Sequence, residues 1–428
     1  MIVRGQLLLD PSRSPEPGWI RIESGRIAHV ALGDRVPDSE LGDAPPLGGS
    51  RSLISPAFYD AHTHLPQIDS IGCDGMHLLD WLDRVIFPAE GWWGRGGAKS
   101  MTRRATRAML SQGTAGFAGF LTSHGEVNRE VLAQLAFETP MRFRAGRAVM
   151  DRHAPSDLVR EDFERGSEQP SRSVLLPGVK ELDPARGGAH AGTSLSPRFA
   201  VSCSEALLAE CGWCAKETPG LLVQTHLAES VEEVARVRQL FPDDEHYTGV
   251  YDRLGLLGES TLLAHCVHLS DAEFALIAER ACTAVHCPGA NIFLEAGLFD
   301  LRRAHDAGVL VALGSDVAAG PDVAMPRVAR QMIEVAKCRR LGGDARAAVP
   351  TPAEAWRIIT EVNARAIGLE GCGRIEVGAH ADLLVLDVPE AWADDHLIGR
   401  LLYQWDSSLI DAMLVCGART DRPVPARG

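Results

Sequence analysis

Apolar and polar positions divide the chain into three stretches. Near the start, short alternating runs predict strands over Val3–Leu9, Trp19–Ile22 and Ile27–Ala31. Turns are expected at Pro15-Glu16-Pro17-Gly18 and Ser24-Gly25-Arg26, and Asp34 to Ser52 reads as a loop rich in Gly and Pro. From about Ile54 to Ile367 the rhythm changes. Short apolar runs predict strands at Leu53–Tyr59, Gly116–Leu121, Phe143–Met150, Thr193–Ser196, Leu221–Thr225, Thr261–Ala264, Ala281–Val285 and Val309–Leu313. Helical periodicity separates most of them, as at Lys99–Ser111, Ser204–Glu217, Val231–Leu240 and Asp271–Arg280. The far end returns to strands, at Ala381–Asp387 after the Gly373–Gly378 turn region and at Asp411–Cys416.

Repeated strand–helix units imply parallel strands, and eight of them over roughly 300 residues suit an α/β fold of the (β/α)8 TIM barrel type. Strands at both termini imply a small β-sandwich domain built from both chain ends. The expected division is 1–54 with 368–428 for that composite β domain, and 55–367 for the barrel. The polar segment Glu161–Gly192 lacks periodicity and reads as a lid or a long surface insertion.

With 428 residues, 45% hydrophobic and 23% charged, the chain can bury a large core without a disulfide scaffold. A formal net charge of −14 argues against nucleic acid as a partner. No apolar run is long enough to span a bilayer, so no membrane partner is expected. Met1-Ile2-Val3-Arg4-Gly5 lacks the parts of a signal peptide, which gives a cytoplasmic expectation. The ten cysteines fit this as reduced residues, and Cys211-Gly212-Trp213-Cys214 reads as thiols on a helix. His124-Gly125-Glu126 lacks the Pro-Cys-x-x-Cys that the cytidine-deaminase type of zinc site requires, so His124 and Glu126 read as loop residues.

The chemistry-bearing residues fall at predicted strand ends, where a barrel carries its active site. His62 and His64 share one face of the first strand as i and i+2. His226 ends the fifth strand, His265 the sixth, and Asp316 the eighth. Three histidines and an aspartate can hold one Zn²⁺ or Fe²⁺ and leave a position for water. A single histidine after an apolar run is usually structural; recurrence at the expected ends makes that reading unlikely here. Glu229, just after His226, suits a proton shuttle. Asp316 could touch the ion and take a proton from water, and His265 could hold the nucleophile in line.

The segments Asp60-Ala61-His62-Thr63-His64-Leu65-Pro66-Gln67, Leu79-Asp80-Trp81-Leu82, Phe87-Pro88-Ala89-Glu90, Ser196-Pro197-Arg198-Phe199, His226 to Glu229, Ala264-His265, His286-Cys287-Pro288 and Gly314-Ser315-Asp316 follow one another in order. In this they resemble the amidohydrolase superfamily and, within it, the guanine deaminase family. The resemblance implies one Zn²⁺ (or Fe²⁺) per chain held by His62, His64, His226 and Asp316. Glu229, His265 and Asp316 would be catalytic, and Gln67, Arg198 and Phe199 would bind a purine. The implied reaction is hydrolytic deamination of guanine to xanthine and ammonia by a homodimer.

Besides the irregular Glu161–Gly192 segment, which replaces what resembles a helical region in relatives, two features depart from that pattern. His153 stands where Asn is more usual, and Gly289-Ala290 where a polar pair is. They leave another aminopurine, a pterin or an oxidised guanine such as 8-oxoguanine as the alternative substrate. A binuclear amidase of the same fold would need a bridging lysine at the fourth strand, where Arg198 stands; Lys180 and Lys216 lie elsewhere. A non-catalytic binding protein would be expected to have lost some of these groups.

Overall fold

A computed structural model of the chain describes residues 1–41, 44–159 and 191–420. The N-terminal strands are β1 (Ile2–Leu7), β2 (Glu16–Glu23), β3 (Arg26–Leu32) and β4 (Leu53–Pro56). The barrel strands follow as β5 (Phe58–His64), β6 (Thr114–Phe120), β7 (Arg142–Gly146), the short β8 (Ala148–Val149), β9 (Ala191–Pro197), β10 (Leu222–Leu227), β11 (Thr261–His265), β12 (Thr283–His286) and β13 (Leu310–Leu313). The chain returns to the end sheet with β14 (Leu383–Leu386), β15 (Ile410–Val415) and β16 (Ala418–Arg419).

Eight parallel strands run in the order β5-β6-β7-β9-β10-β11-β12-β13, with β8 beside β9. Side chains help to join the last strand to the first. Asn363, fully buried, donates from Nδ2 to the carbonyls of Tyr59 (2.6 Å) and Leu313 (2.8 Å) and accepts from Leu313 N (2.9 Å). Beyond the ladder ends, Asp316 N donates to His62 O at 2.8 Å, and His64 N to Val317 O at 3.2 Å. β5, β6 and β12 are buried along their whole length. Strands covered on both faces are buried in this way, and in β5 the buried Asp60, His62, Thr63 and His64 are polar because they serve the strand end.

The helices between them start where local chemistry tells them to. Val231–Leu240 and Asp271–Glu279 open with reciprocal capping boxes, Ser230 with Glu233 and Ser270 with Glu273. Glu205–Lys216 is capped by Ser204 and buries both Cys211 and Cys214.

The chain ends build one mixed sheet in the order β16-β15-β14-β4-β1-β2-β3, parallel only at β1–β4. The expected sandwich layering comes from this single sheet curling on itself. Ile27 N donates to Ala379 O (2.9 Å) and Gly378 N to Ile27 O (2.8 Å), so β3 meets the segment before β14. Val3, Leu7, Ile20, Ile27, Leu383, Val385 and Leu414 fill the interior.

Asp382 locks this sheet to the barrel. It accepts from Tyr59 Oη (2.7 Å), Arg142 Nε (2.5 Å) and Nη2 (3.1 Å), and Cys416 N (2.6 Å), all away from solvent or nearly so.

The sequence reading errs at Pro15-Glu16-Pro17-Gly18. The strand β2 already begins at Glu16, paired with Leu7, because Pro is tolerated at the start of a strand and β1 supplies a partner. Glu126 lies in the first turn of the helix Gly125–Glu138, with His124 at its N-cap, and not in a loop. The irregular segment expected at Glu161–Gly192, with Lys180, lies outside the described residues except for Ala191 and Gly192, which open β9. Among the described residues, no helix is long and apolar enough to cross a membrane.

Candidate metal centre and active site

The strand ends bring together the residues that the sequence placed there. His62 and His64 close β5, His226 lies one residue from the end of β10, His265 closes β11, and Asp316 follows β13. Asp316 Oδ1 is 3.2 Å from His62 Nε2 and 3.3 Å from His64 Nε2, while His64 Nε2 and His226 Nε2 face each other at 3.2 Å. One ligand atom from each of His62, His64, His226 and Asp316 lies within 4.8 Å of all the others.

The electrostatics fit a cation. Burial holds His64 down to about 4, and burial with the neighbouring histidines holds His226 well below its ordinary value, so both rings are neutral and keep lone pairs. Burial pushes the Asp316 carboxyl up, but the His62 and His64 rings that face it, with the charge of His265, outweigh burial and hold it well below the usual range. Buried His62 Nε2 has no hydrogen-bond partner. Lone pairs converging on one point with an orphaned ring nitrogen are costly alone and become favourable around an ion. A second grouping, His62, His265, Cys287 and Asp316, shares two of these residues. Burial pushes the Cys287 thiol well up, so it is the weaker donor set.

Each ligand is held from behind. His226 Nδ1 meets the Arg198 carbonyl at 2.7 Å, which turns Nε2 toward the centre. Asp60 accepts from Ser315 N (2.9 Å), Ser315 Oγ (2.5 Å) and His62 N (3.1 Å), fixing the turn that carries Asp316. Burial raises the Asp60 carboxyl to about 6, against the pull of those hydrogen bonds. Phe120 stacks on His64 at 4.9 Å. Ala228, His265, Cys266 and Asp316 adopt φ of 50°, 72°, 54° and 48°. Left-handed backbone at non-glycine residues is strained, and here it bends the chain sharply at the strand ends so that these side chains face inward.

Beside the donor set lies a small cavity. Its polar lining includes Gln67, Arg198, Glu229, His265 and Asp316, and its apolar walls are Leu78, Trp81, Leu82, Phe199, Leu294 and Ala319. Glu229 Oε2 is 3.4 Å from His265 Nε2, which in turn is 3.7 Å from Asp316 Oδ2. Burial, then the charges of Asp316 and Glu233, push the Glu229 carboxyl well above its ordinary value. Its carboxyl is thus biased toward the protonated form, more than a solvated glutamate. Arg198 Nη1 contacts both oxygens of buried Glu90 (2.7 and 2.6 Å), and Gln67 Nε2 donates to Glu90 Oε1 at 3.1 Å.

All the expected site residues except His62 line one cavity, and His62, buried, faces Asp316 at 3.2 Å; Phe199 lies edge-on to His226 at 6.4 Å between ring centres. Sequence reasoning missed four supporting residues. Asp60 carried a usable signal, because Asp60, His62 and His64 alternate onto one strand face. Glu90 lay in the Phe87–Glu90 segment and Asn291 just after Gly289-Ala290, but neither had a role assigned, and Phe120 carried no signal. Asn291, on the helix Pro288–Phe293, meets His265 Nδ1 at 2.8 Å. Of the two departures, His153 is exposed beside Arg236, outside the cavity lining, and Gly289-Ala290 are buried on the helix that carries Asn291.

Comparison with known proteins agrees with this architecture. Residues 53–415 match the amidohydrolase family. The chain is 32% identical to guanine deaminase of Escherichia coli K12 over 365 residues, 85% of this chain and 78% of that protein. It is 31% identical to guanine deaminase of Dictyostelium discoideum over 344 residues, 79% and 74% of the two chains. The crystal structure of guanine deaminase from C. acetobutylicum, with guanine bound in its active site, superposes with a TM-score of 0.86 at 27% identity, covering 98% of this chain and 99% of that one. By the extent of these matches and by its fold, the chain belongs to the amidohydrolase family of metal-dependent hydrolases.

Proposed function

We propose that this chain hydrolyses guanine to xanthine and ammonia, using one Zn²⁺, or Fe²⁺ in its place, held by His62, His64, His226 and Asp316. The observation that carries the reading is a narrow cavity with apolar walls, whose Gln67–Arg198 side adjoins the convergent histidines and the buried Glu229 carboxyl. The identity to guanine deaminases over most of the chain supports the same substrate.

When bound, the cation brings the pKa of a coordinated water toward neutrality and so supplies the nucleophile for the ring carbon that bears the amine. Arg198 and Gln67 hydrogen-bond the polar edge of the purine, and Phe199 with Leu78, Trp81, Leu82 and Leu294 packs around the ring and excludes water. Glu229 donates its proton to the ring nitrogen beside that carbon, which makes the carbon more electrophilic. Asp316 accepts a proton from the attacking water, and His265, held by Asn291, hydrogen-bonds the same water from the side. Asp316 then passes its proton to the departing amine and Glu229 recovers one from the new hydroxyl, so one water is consumed and one ammonia leaves.

The metal-loaded protein should release ammonia from guanine with kcat/KM about 10²-fold or more above that for adenine, pterin or 8-oxoguanine. No release from guanine by protein that retains its metal would sink the reading. Metal analysis should give one ion per chain, and two would overturn the single-ion arrangement.

A further inference from the structure

Gln67 and Arg198 line the cavity, and behind them, outside its lining, lies a buried carboxylate that their proposed role does not use. Glu90 sits on the short helix Phe87–Trp92, which follows the barrel's first strand at a distance in sequence and packs back toward it. Its two oxygens both receive Arg198 Nη1, and Oε1 also receives Gln67 Nε2. Gln67 Oε1 in turn accepts from Ala318 N at 3.3 Å, in the loop after β13. The guanidinium also lies over the Phe87 ring at 5.4 Å, which fixes its plane.

A carboxylate paired with a guanidinium only accepts hydrogen bonds. It therefore dictates which end of the Gln67 carboxamide faces it. The NH2 turns to Glu90 and the carbonyl oxygen turns to Ala318. The oxygen is committed, and what Gln67 has left is its second N–H. Arg198 makes both of its contacts to Glu90 through Nη1, so Nη2 and Nε are not spent on that pair. Each residue is left with donors only.

We propose that Glu90 is a specificity-determining positioning residue, which fixes Gln67 and Arg198 as an all-donor edge and so selects purines that present adjacent acceptors. A 6-oxopurine offers O6 and N7 as acceptors, whereas a 6-aminopurine places an N–H donor at position 6 and would meet donor with donor. The ion pair also neutralises Arg198, so selection rests on hydrogen-bond direction and not on ligand charge. Buried polar groups left unpaired by the wrong ligand make such selection steep. The inference rests on the proposed purine substrate and adds the group that sets its recognition.

The test substitutes Glu90→Gln, which keeps shape but lets the Gln67 amide turn over. Calorimetry on the metal-loaded protein compares hypoxanthine, a 6-oxopurine with no 2-amino group to lose, with adenine. The unsubstituted protein should prefer hypoxanthine by about 10²-fold, and Glu90→Gln should narrow that preference about tenfold. With guanine, KM should rise about tenfold while kcat changes less than about threefold, since Glu90 touches no reacting atom. An unchanged hypoxanthine-to-adenine ratio in Glu90→Gln would overturn the proposal. Should that variant fail to fold, Gln67→Met decides: it removes the donor, so the preference should narrow similarly, and a retained preference counts against the proposal. Binding of hypoxanthine is independent of turnover. Absence of ammonia release from guanine by the unsubstituted protein would therefore count against the function, while the binding ratio still tests Glu90.

Discussion

Two buried polar clusters in this molecule have opposite hydrogen-bond accounting. At the junction of barrel and end sheet, Asp382 receives four donors from Tyr59, Arg142 and Cys416. At the strand ends, His62 Nε2, His265 Nε2 and Glu229 Oε1 are equally buried and have no hydrogen-bond partner. The first cluster is closed and gains its stability from complete pairing. The second is held open by groups behind it: Asp60 under the Asp316 turn, Asn291 behind His265, and the Arg198 carbonyl behind His226. At the strand ends, burial with unmet valence is braced from outside, whereas at Asp382 burial comes with full pairing.

Substitutions should separate the two. The largest effect is expected from Glu229→Gln, which keeps the shape and removes the transferable proton. Its kcat should fall about 10²–10⁴-fold while metal content and melting temperature stay near those of the unsubstituted protein. Loss of the metal in this variant would mean that Glu229 acts on the ion's binding.

Asp382→Asn should do the reverse. It removes the Asp382 charge from the buried Arg142 guanidinium and should cost about 3–5 kcal/mol of stability, with kcat retained in the protein that remains folded. Burial raises the Asp382 carboxyl, but Arg142 outweighs it and the net value is lowered in the folded state. Its contribution is thus complete above the unfolded value near 3.9 and is lost as pH falls through the folded one. Melting curves of the two proteins should therefore differ most at neutral pH and converge below about pH 4. A gap that persists unchanged in acid would show that the ion pair is not its source.

The smallest effect is expected at the seam between β13 and β5. Asn363→Ala removes three hydrogen bonds and orphans groups on both strands, for about 2–3 kcal/mol by thermal or denaturant unfolding. A change under about 0.5 kcal/mol would mean that packing alone closes the barrel.

Much of this contrast was legible before any coordinates. An apolar run ending in a histidine or aspartate is a local pattern, so His62, His64, His226, His265 and Asp316 could be placed from the chain alone. The helix over Val231–Leu240 matches its expected bounds because a capping box and an amphipathic run coincide there. What sequence could not reveal is pairing across distance. Glu90 and Arg198 are 108 residues apart, and Tyr59 and Asp382 are 323 apart. Neither carboxylate differs in local context from one on the surface. The turn expected at Pro15–Gly18 failed for the same reason, since only the neighbouring β1 shows that Glu16 belongs to a strand.

The end sheet also carries a consequence for how the chain is made. β4 lies between β1 and β14, so one of its edges waits for a strand that emerges from the ribosome more than three hundred residues later. At about 5–20 residues per second, the 323 residues that separate Tyr59 from Asp382 take roughly 15–65 s to synthesise. Throughout that interval the nascent chain offers a bare apolar strand edge, Leu53-Ile54-Ser55-Pro56, to any other chain on the same messenger. The last turn of synthesis, not the first, thus ends this protein's exposure to misassembly.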